Sequence, residues 1–409
     1  MSKQISFIHA ADLHLDSPFK GLTNTPEHIF QEIQESTFVA LERLVSAAIQ
    51  KQVDFVLIVG DLFDNEKQSL KAQIRLRRAF EELNDHHINV YVSYGNHDHL
   101  NGNKYPVTYP DNVFIFPTET VSQFTYEKEG KSIASIYGFS YENRAVIANK
   151  TKEYQITDDK IPFHIAMLHG SVQSNTDHDM YAPFQIGELS EIPFDYWALG
   201  HIHQREVLKE NPTIVYPGNT QGRNRKEIGE KGCYHIVLSA TGTAMSFIPL
   251  QALEFTPLIV DVSTCEEIHQ VEKEIQTIIK DQPEPTTPQL IDLTLVSNNE
   301  NLIKWKSEAF LEDIIDLVNE TGIYQSNWYY IFRHVIKVDQ ILVDSDLSKG
   351  DHFIGELTRD FEDISIYPFI TDLFHHKQGR KHLNTLTKED ESLIKKEAQQ
   401  LLINELLKS

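Results

Sequence analysis

Residues 89–100 read NVYVSYGNHDHL. Val90 to Tyr94 alternate as a buried strand does, and the run stops at Gly95. Asn96, His97, Asp98 and His99 follow in succession. A turn needs only the glycine and the asparagine. Two imidazoles and a carboxylate beside them point to ligand or proton chemistry at a strand end. That reading gains force only if other strands end the same way.

They do. ISFIHA is followed by Asp12 and His14, and FVLIVG by Asp61 and Asp64. IAMLHG carries His169, and YWALGHIH carries His201 and His203. In open α/β sheets, ligands sit at the C-terminal ends of strands. The donors are carboxylate, amide oxygen and imidazole, with no thiolate. Such a set suits Mn, Fe, Zn or Mg. Seven donors of this kind exceed what one cation takes while keeping a water position open, and they match two cations sharing one carboxylate. In an extended segment residues i and i+2 point the same way, so Asp12/His14 and His201/His203 are each expected to aim two donors at one region. Flanking glycines such as Gly60 and Gly95 are expected to permit tight turns and close backbone approach.

Around these strand ends the chain alternates strands with helical stripes. Thr25-Pro26 reads as an N-cap with proline at the first helical position, followed by a stripe of Phe38, Leu41, Leu44, Val45 and Ala48. A second helix is expected over Ser69 to Leu83. Strand–helix alternation predicts an α/β layered domain. TIVYPGN and GCYHIVLSATGTAMSFIPL then run without helices, the latter as a hairpin turning near Thr241-Gly242. A β-α-β-α-β pattern follows, with a capping box expected over Ser263 to Glu266 and the Pro-rich linker DQPEPTTP behind its first helix. The end of the chain reads as helices only, amphipathic through Leu393, Ile394, Leu401, Leu402 and Leu406. The expected division is a catalytic domain over 1–252, a small α/β cap domain over 253–345 and a helical partner-binding region over 346–409.

The net charge of −23 over 409 residues argues against a broadly basic nucleic-acid binder. Residues 251–409 hold 15 basic against 29 acidic residues, the more acidic part of the chain. A polyanion would have to bind at a local basic patch or at bound cations. Nothing in the first residues resembles a signal peptide, and no apolar run reaches membrane-spanning length. Cys233 and Cys265 give neither a metal spacing nor a disulfide framework, so a cytoplasmic protein is expected.

Taken together, D-x-H (Asp12, His14), G-D-x-x-D (Asp61, Asp64), G-N-H-D (Asn96 to Asp98), H-G (His169) and G-H-x-H (His201, His203) resemble the calcineurin-like metallophosphoesterases, in the same order along the chain. GDLFD and the long C-terminal extension make the chain similar to SbcD-type DNA-repair nucleases. HAADLHLDSPFKGL looks closest to their bacterial YhaO-type branch. The resemblance implies a layered β-sandwich flanked by helices. It implies that Asp12, His14 and His203 hold one metal, that Asn96, His169 and His201 hold the other, and that Asp61 bridges. His97 would protonate the leaving oxygen or steady the phosphoryl charge, oriented by Asp64, and Asp98 would brace the turn. Some relatives carry a histidine where this chain has Asp64. Two divalent ions, manganese above all, would be the cofactors. The substrate would be DNA, cut as an exonuclease with endonuclease action beside it. The partners would be a second copy and an SbcC-like coiled-coil ATPase gripped by the terminal helices. A phosphatase or small-nucleotide phosphodiesterase, and an ATPase-binding scaffold with a degenerate metal site, are the alternatives.

Other polar residues have plainer readings. His99 reads as a surface-turn histidine, and His86-His87 and His375-His376 as solvated pairs at helix ends. Arg223, Arg225 and Lys226 would either meet DNA phosphates or form a solvated loop. Arg75, Arg77 and Arg78 read as a solvated helix face. Tyr329, Tyr330 and Phe332 alternate as core residues do, with a base-stacking platform as the other reading.

Overall fold

A computed structural model describes residues 4–22, 25–64, 68–102, 107–173, 181–299, 301–338, 364–376, 386–388, 390–395 and 398–399. Leu401, Leu402 and Leu406 of the expected terminal stripe lie outside them.

Two six-stranded sheets form the larger part. The first contains β1 (Gln4–Ala10), β2 (Phe55–Val59), β3 (Asn89–Ser93), β4 (Val113–Ile115), β11 (Gly232–Ser239) and β12 (Gly242–Pro249), ordered β12-β11-β1-β2-β3-β4. β1 to β4 run parallel, and β11 closes on β1 antiparallel. The second contains β5 (Ser122–Lys128), β6 (Lys131–Gly138), β7 (Phe163–His169), β8 (Tyr196–Gly200), β9 (Glu206–Lys209) and β10 (Thr213–Tyr216), ordered β5-β6-β7-β8-β10-β9. Here β6, β7, β8 and β10 are parallel.

Strand alternation decides which side chains meet. Phe7, Phe55, Leu57 and Tyr91 of one sheet pack with Ile136, Ile165, Met167 and Tyr196 of the other. Their neighbours Ile8, Ala10, Val56, Ile58 and Val92 face outward onto helices α1 (Glu27–Lys51) and α2 (Leu70–Asp85). Trp197 and Leu199 form the outer face of the second sheet, where α3 (Ile186–Glu191) packs through Leu189. The result is a helix-covered β-sandwich. Both faces of β1, β2, β3, β7 and β8 are covered, so these strands read as near-continuous apolar runs. The hairpin turns where the sequence places it, with Ser239 opposite Gly242.

A three-stranded parallel sheet follows: β13 (Glu254–Asp261), β14 (Gln289–Ser297) and β15 (Tyr329–Val338). It packs with α4 (Ile268–Asp281), α5 (Asn301–Ser307) and α6 (Phe310–Gly322) around Val260, Val271, Leu293 and Val318. This unit docks on the sandwich through Phe255, Leu290 and Trp328 against Phe19, Ile29 and Ile33. Trp328 Nε1 donates to Glu32 at 2.7 Å, which satisfies the buried indole. A helix α7 (Tyr367–His375) lies near the end of the chain.

Two helix starts differ from expectation. Pro26, not Thr25, occupies the cap of α1, because the Thr25 hydroxyl donates to the Leu22 carbonyl at 2.7 Å instead. The capping box of α4 is built by Glu267 and Gln270 rather than by Ser263 and Glu266. Ser263 has other work: its hydroxyl accepts from Asn298 N at 3.1 Å. Tyr329 is buried core, and the half-buried Phe332 packs edge-on to Phe255. No described helix is long and apolar enough to cross a membrane.

Candidate metal centre

Parallel strands bring their C-terminal ends to one edge, so β1, β2 and β3 deliver their polar residues together. The loop after β1 runs beside the loop after β2: Asp12 N donates to Gly60 O at 3.2 Å, and His14 N to Asp61 O at 3.0 Å. β7 and β8 add His169, His201 and His203 from the second sheet.

The donors converge in groups. Asp12, His14 and His203 can each place a ligand atom within 4.8 Å of the others, and so can Asp61, His169 and His201. Asn96 Oδ1 joins the second group, 3.1 Å from His169 Nε2 and 3.2 Å from His201 Nδ1. Asp61 lies between them, with Oδ2 3.8 Å from His14 Nε2 and 3.5 Å from His169 Nε2. His97 also falls within reach of His14 and Asp61.

The shared direction of Asp12 and His14 does not come from an extended strand. Asp12 (φ 53°), His14 (φ 43°), Asp61 (φ 51°) and His201 (φ 98°) all adopt left-handed backbone. Non-glycine residues pay for that conformation, and such strain concentrates where side chains must be aimed. Gly60 is itself left-handed at φ 76°, and it shares with Gly95 a second requirement. A Cβ on either would overlap the His169 ring, so their lack of a side chain is what lets the imidazole into the cluster.

Proton accounting tests whether cations fit. His169 Nδ1 lies 3.0 Å from the Val59 carbonyl, which can only accept. Nδ1 therefore carries the hydrogen, and a neutral ring leaves Nε2 a bare lone pair. That lone pair meets Asn96 Oδ1 and Asp61 Oδ2, both acceptors. Likewise His203 Nδ1 faces a carboxylate of Glu227 at 2.8 Å, leaving Nε2 to meet His14 Nε2 at 3.1 Å. His14 Nδ1 is buried with no hydrogen-bond partner. Around His169 acceptors thus point at acceptors in a buried cluster, which calls for a positive charge there, and hard divalent ions suit this N/O set.

The titration behaviour agrees. Burial pushes the Asp12 carboxyl up to about 6, against the pull of His169 and His203. Burial opposes ionisation of Asp61 too, but His169 outweighs it and holds that carboxyl well below its ordinary range. His169 is pushed up to about 9 although burial opposes it, because Asp61 and Asp12 lie beside it. Without metal the site thus borrows a proton charge from His169. His14 is forced well down by burial, with Arg223 and His203 adding to it.

His97 and its neighbours show how the turn is held. Asp98 is fully buried and accepts from Gly95 N at 2.7 Å and Leu62 N at 2.6 Å, tying the two loops, and burial pushes its carboxyl up to about 7. His97 N donates to Asp61 Oδ1 at 3.0 Å, and its Nδ1 lies 2.7 Å from the main-chain carbonyl of Asp64. The sequence reading expected the Asp64 carboxylate to orient His97. The carboxylate instead engages Arg223, with the Ser17 hydroxyl at 3.4 Å. Tyr141 and Tyr216 hydroxyls donate to the His169 and Gly170 carbonyls, fixing the second sheet's contribution.

The three expected DNA-contacting residues have mixed fates. Arg223 is ion-paired to Asp64 and Glu227, Arg225 pairs with Asp390 at 2.8 Å, and Lys226 is exposed. Arg75 pairs with Glu35 and Glu42 and Arg77 with Glu81, as a solvated face does. His86 and His87 are exposed, whereas His99 is buried at 8% exposure rather than on a surface turn. The His375 side chain lies outside the described part. Glu227 was missed. Its only sequence signal is its i+4 spacing from Arg223, which says nothing of His203 in a distant segment.

A cavity of about 780 Å³ opens beside Asp64, bordered by the loop 17–22, the loop 223–226, Phe332 and Arg333 of β15 and residues near Thr387. Five cations line it, Lys20, Arg223, Arg225, Lys226 and Arg333, against Asp64 and Asp390.

Residues 5–205 match the family model of the calcineurin-like phosphoesterases. The metallophosphoesterase YhaO of Bacillus subtilis (strain 168) is 36% identical over 407 residues, 99% of each chain. The DNA double-strand break repair protein Mre11 of Methanocaldococcus jannaschii is 26% identical over 251 residues, 59% of this chain and 65% of that protein. The protein of the same name from Sulfolobus acidocaldarius is 22% identical over 388 residues, 88% and 94% of the two chains.

Proposed function

This chain belongs to the calcineurin-like phosphoesterase family, and we propose that within it the protein is a two-metal phosphodiesterase acting on DNA. The cavity carries the choice of substrate. A chain of net charge −23 lines one opening with Lys20 and Lys226 beside the ion-paired Arg223, Arg225 and Arg333, and Asp64 and Arg223 on its rim approach His14 and His203 of the donor cluster. Phosphate contacts dominate nucleic-acid affinity, so a local basic lining offsets the acidic remainder. The relatives named for double-strand break repair support the same substrate class.

Asp12, His14 and His203 would hold one cation, Asn96, His169 and His201 the other, and Asp61 would touch both. Bound there, two divalent ions, manganese in our reading, supply Lewis acidity to the phosphoryl group and lower the pKa of a water. The chain's own part is to place the charge and move the proton. His97 stands outside both ligand sets and donates a proton to the leaving sugar oxygen, or its positive edge steadies the phosphoryl oxygens. Lys20 and Lys226 seat the strand at the opening. The cap (253–345), docked on α1, forms one wall of the opening and limits access.

The remaining expectations belong to the same proposal: exonuclease action with endonuclease action beside it, a paired assembly, a cytoplasmic setting and an SbcC-like coiled-coil ATPase as partner. The partner reading draws on α7, where Phe369 and Leu373, one turn apart, are 74% and 58% exposed. Such an apolar stripe suits a partner helix.

The acidic balance favours one competing reading, a phosphatase or small-nucleotide phosphodiesterase. Purified protein with Mn²⁺ is assayed against labelled single- and double-stranded DNA, a diester mimic and a monoester mimic. DNA and diester turnover is the expected result. Monoester turnover without DNA cleavage replaces this reading with the competing one. Tight ATPase binding without any turnover makes the chain a scaffold.

A further inference from the structure

Glu227 closes the loop between β10 and β11, and the seven-donor pattern has no place for it. Its carboxylate is nonetheless built into the site. Oε1 lies 2.8 Å from His203 Nδ1, while Oε2 accepts from Asn219 Nδ2 and from Arg223 N, each at 2.7 Å. The side chain is 10% exposed. Arg223 Nη2 stands 3.8 Å from Oε1, and Nη1 of the same guanidinium pairs with Asp64. Burying a carboxylate is costly unless it is paired and hydrogen-bonded, and this one is both.

Arg223 Nη2 also approaches His203 Nδ1, at 3.4 Å, but the shorter carboxylate contact decides the tautomer. An ionised carboxylate can only accept, so Nδ1 carries the hydrogen and Nε2 presents its lone pair toward His14 and Asp12. Carboxylates placed behind ligating histidines set ring orientation and raise ligand basicity. The arginine extends the brace. Asp64, whose carbonyl holds His97, is joined through Arg223 to Glu227, which holds His203.

We propose that Glu227 is a positioning residue for the cation held by Asp12, His14 and His203, and that Arg223 ties it to the Asp64 loop rather than anchoring DNA. This rests on the two-cation reading of the site.

Mn²⁺ is titrated calorimetrically into metal-free protein, with thermal unfolding of the metal-free form as the check on folding. The wild type is expected to take two ions. Glu227→Ala should weaken one of the two by about 10- to 100-fold and leave the other unchanged. Glu227→Gln should fall between, since its amide oxygen still accepts from His203 while its NH₂ faces the donors on Asn219 and Arg223. If Glu227→Ala fails to fold, the Gln variant carries the test. Excess Mn²⁺ should restore kcat in either, because the residue touches no reacting atom. Two ions bound at wild-type affinity by the variants would overturn the proposal. So would equal loss of both ions together with a lower melting temperature of the metal-free protein, which marks a merely structural role. A wild type that takes up no pair of ions would sink the two-cation reading instead.

Discussion

His97 Nδ1 lies 2.7 Å from the main-chain carbonyl oxygen of Asp64, so the ring is oriented by backbone and not by a carboxylate. A carbonyl only accepts, so Nδ1 keeps its hydrogen and Nε2 is the atom left to exchange a proton. Removing the ring should therefore cost catalysis without costing metal. His97→Ala is expected to bind both ions and lose about 10²- to 10⁴-fold in kcat on DNA. The loss should shrink on a diester with a nitrophenolate leaving group, which needs no proton. Asp64→Ala keeps the carbonyl and should lose less. Normal DNA cleavage by His97→Ala would remove the residue from the mechanism.

Asp61 carries a different kind of weight. Its Oδ2 stands within 4 Å of a histidine from each donor group, 3.8 Å from His14 and 3.5 Å from His169. An anion shared in this way lowers the repulsion between two cations. Asp61→Ala should fail to hold a pair of ions at micromolar Mn²⁺, as read by elemental analysis of dialysed protein. Retention of two ions per chain by the variant would show that Asp61 does not bridge.

The strand ends were legible because polar residues at the close of an apolar run break a pattern that burial otherwise enforces. The donors Asp12, His14 and His203 come together in space, and so do Asn96, His169 and His201. What the pattern hid was the mechanism of aim. Left-handed backbone at Asp12, His14 and Asp61 is a tertiary outcome, imposed by the loop after β2 hydrogen-bonding to the loop after β1. Asp and His visit this region more readily than most side chains, but too seldom for local propensity to announce it. Arg223 and Arg225 were ambiguous for a related reason. Their neighbours in sequence cannot show that Asp64 and Asp390, far along the chain, neutralise them. His99 looked like a turn residue because its sequence context is polar, and the packing that buries it is not local.

His9 offers a stability test away from the metals. It sits wholly buried between the sheets, with Tyr196 Oη at 2.9 Å and the Leu199 carbonyl at 3.0 Å. Burial depresses its pKa to about 3, although the Leu199 hydrogen bond works the other way. The folded form therefore stays neutral where the unfolded chain, with an ordinary value near 6.5, takes up a proton. Below that value the unfolded state binds more protons, so stability is full above about pH 6.5 and falls as pH drops toward 3. The slope approaches ~1.4 kcal/mol per pH unit for one proton. His9→Gln should be less stable at pH 7 but show a flatter decline between pH 6.5 and 4. Urea midpoints at several pH values on metal-free protein decide it, and equal slopes in the two proteins would mean that His9 is protonated when folded.

Lys226 separates anchoring of the substrate from support of the site. It lines the cavity and is exposed, whereas Arg223 beside it is held by Asp64 and Glu227. A lysine meeting one phosphate contributes a charge whose effect is screened by salt and blind to sequence. Lys226→Ala is expected to raise KM for DNA similarly across sequences and leave kcat nearly unchanged. The slope of log K against log salt should fall by about 1 on duplex DNA. Arg223→Ala should do the reverse: weaker Mn²⁺ binding, lower activity at limiting metal and little change in the salt slope. Fluorescence anisotropy of labelled DNA between 50 and ~200 mM salt reads both. A full unit lost from the slope by Arg223→Ala, with metal affinity intact, would return that guanidinium to the substrate.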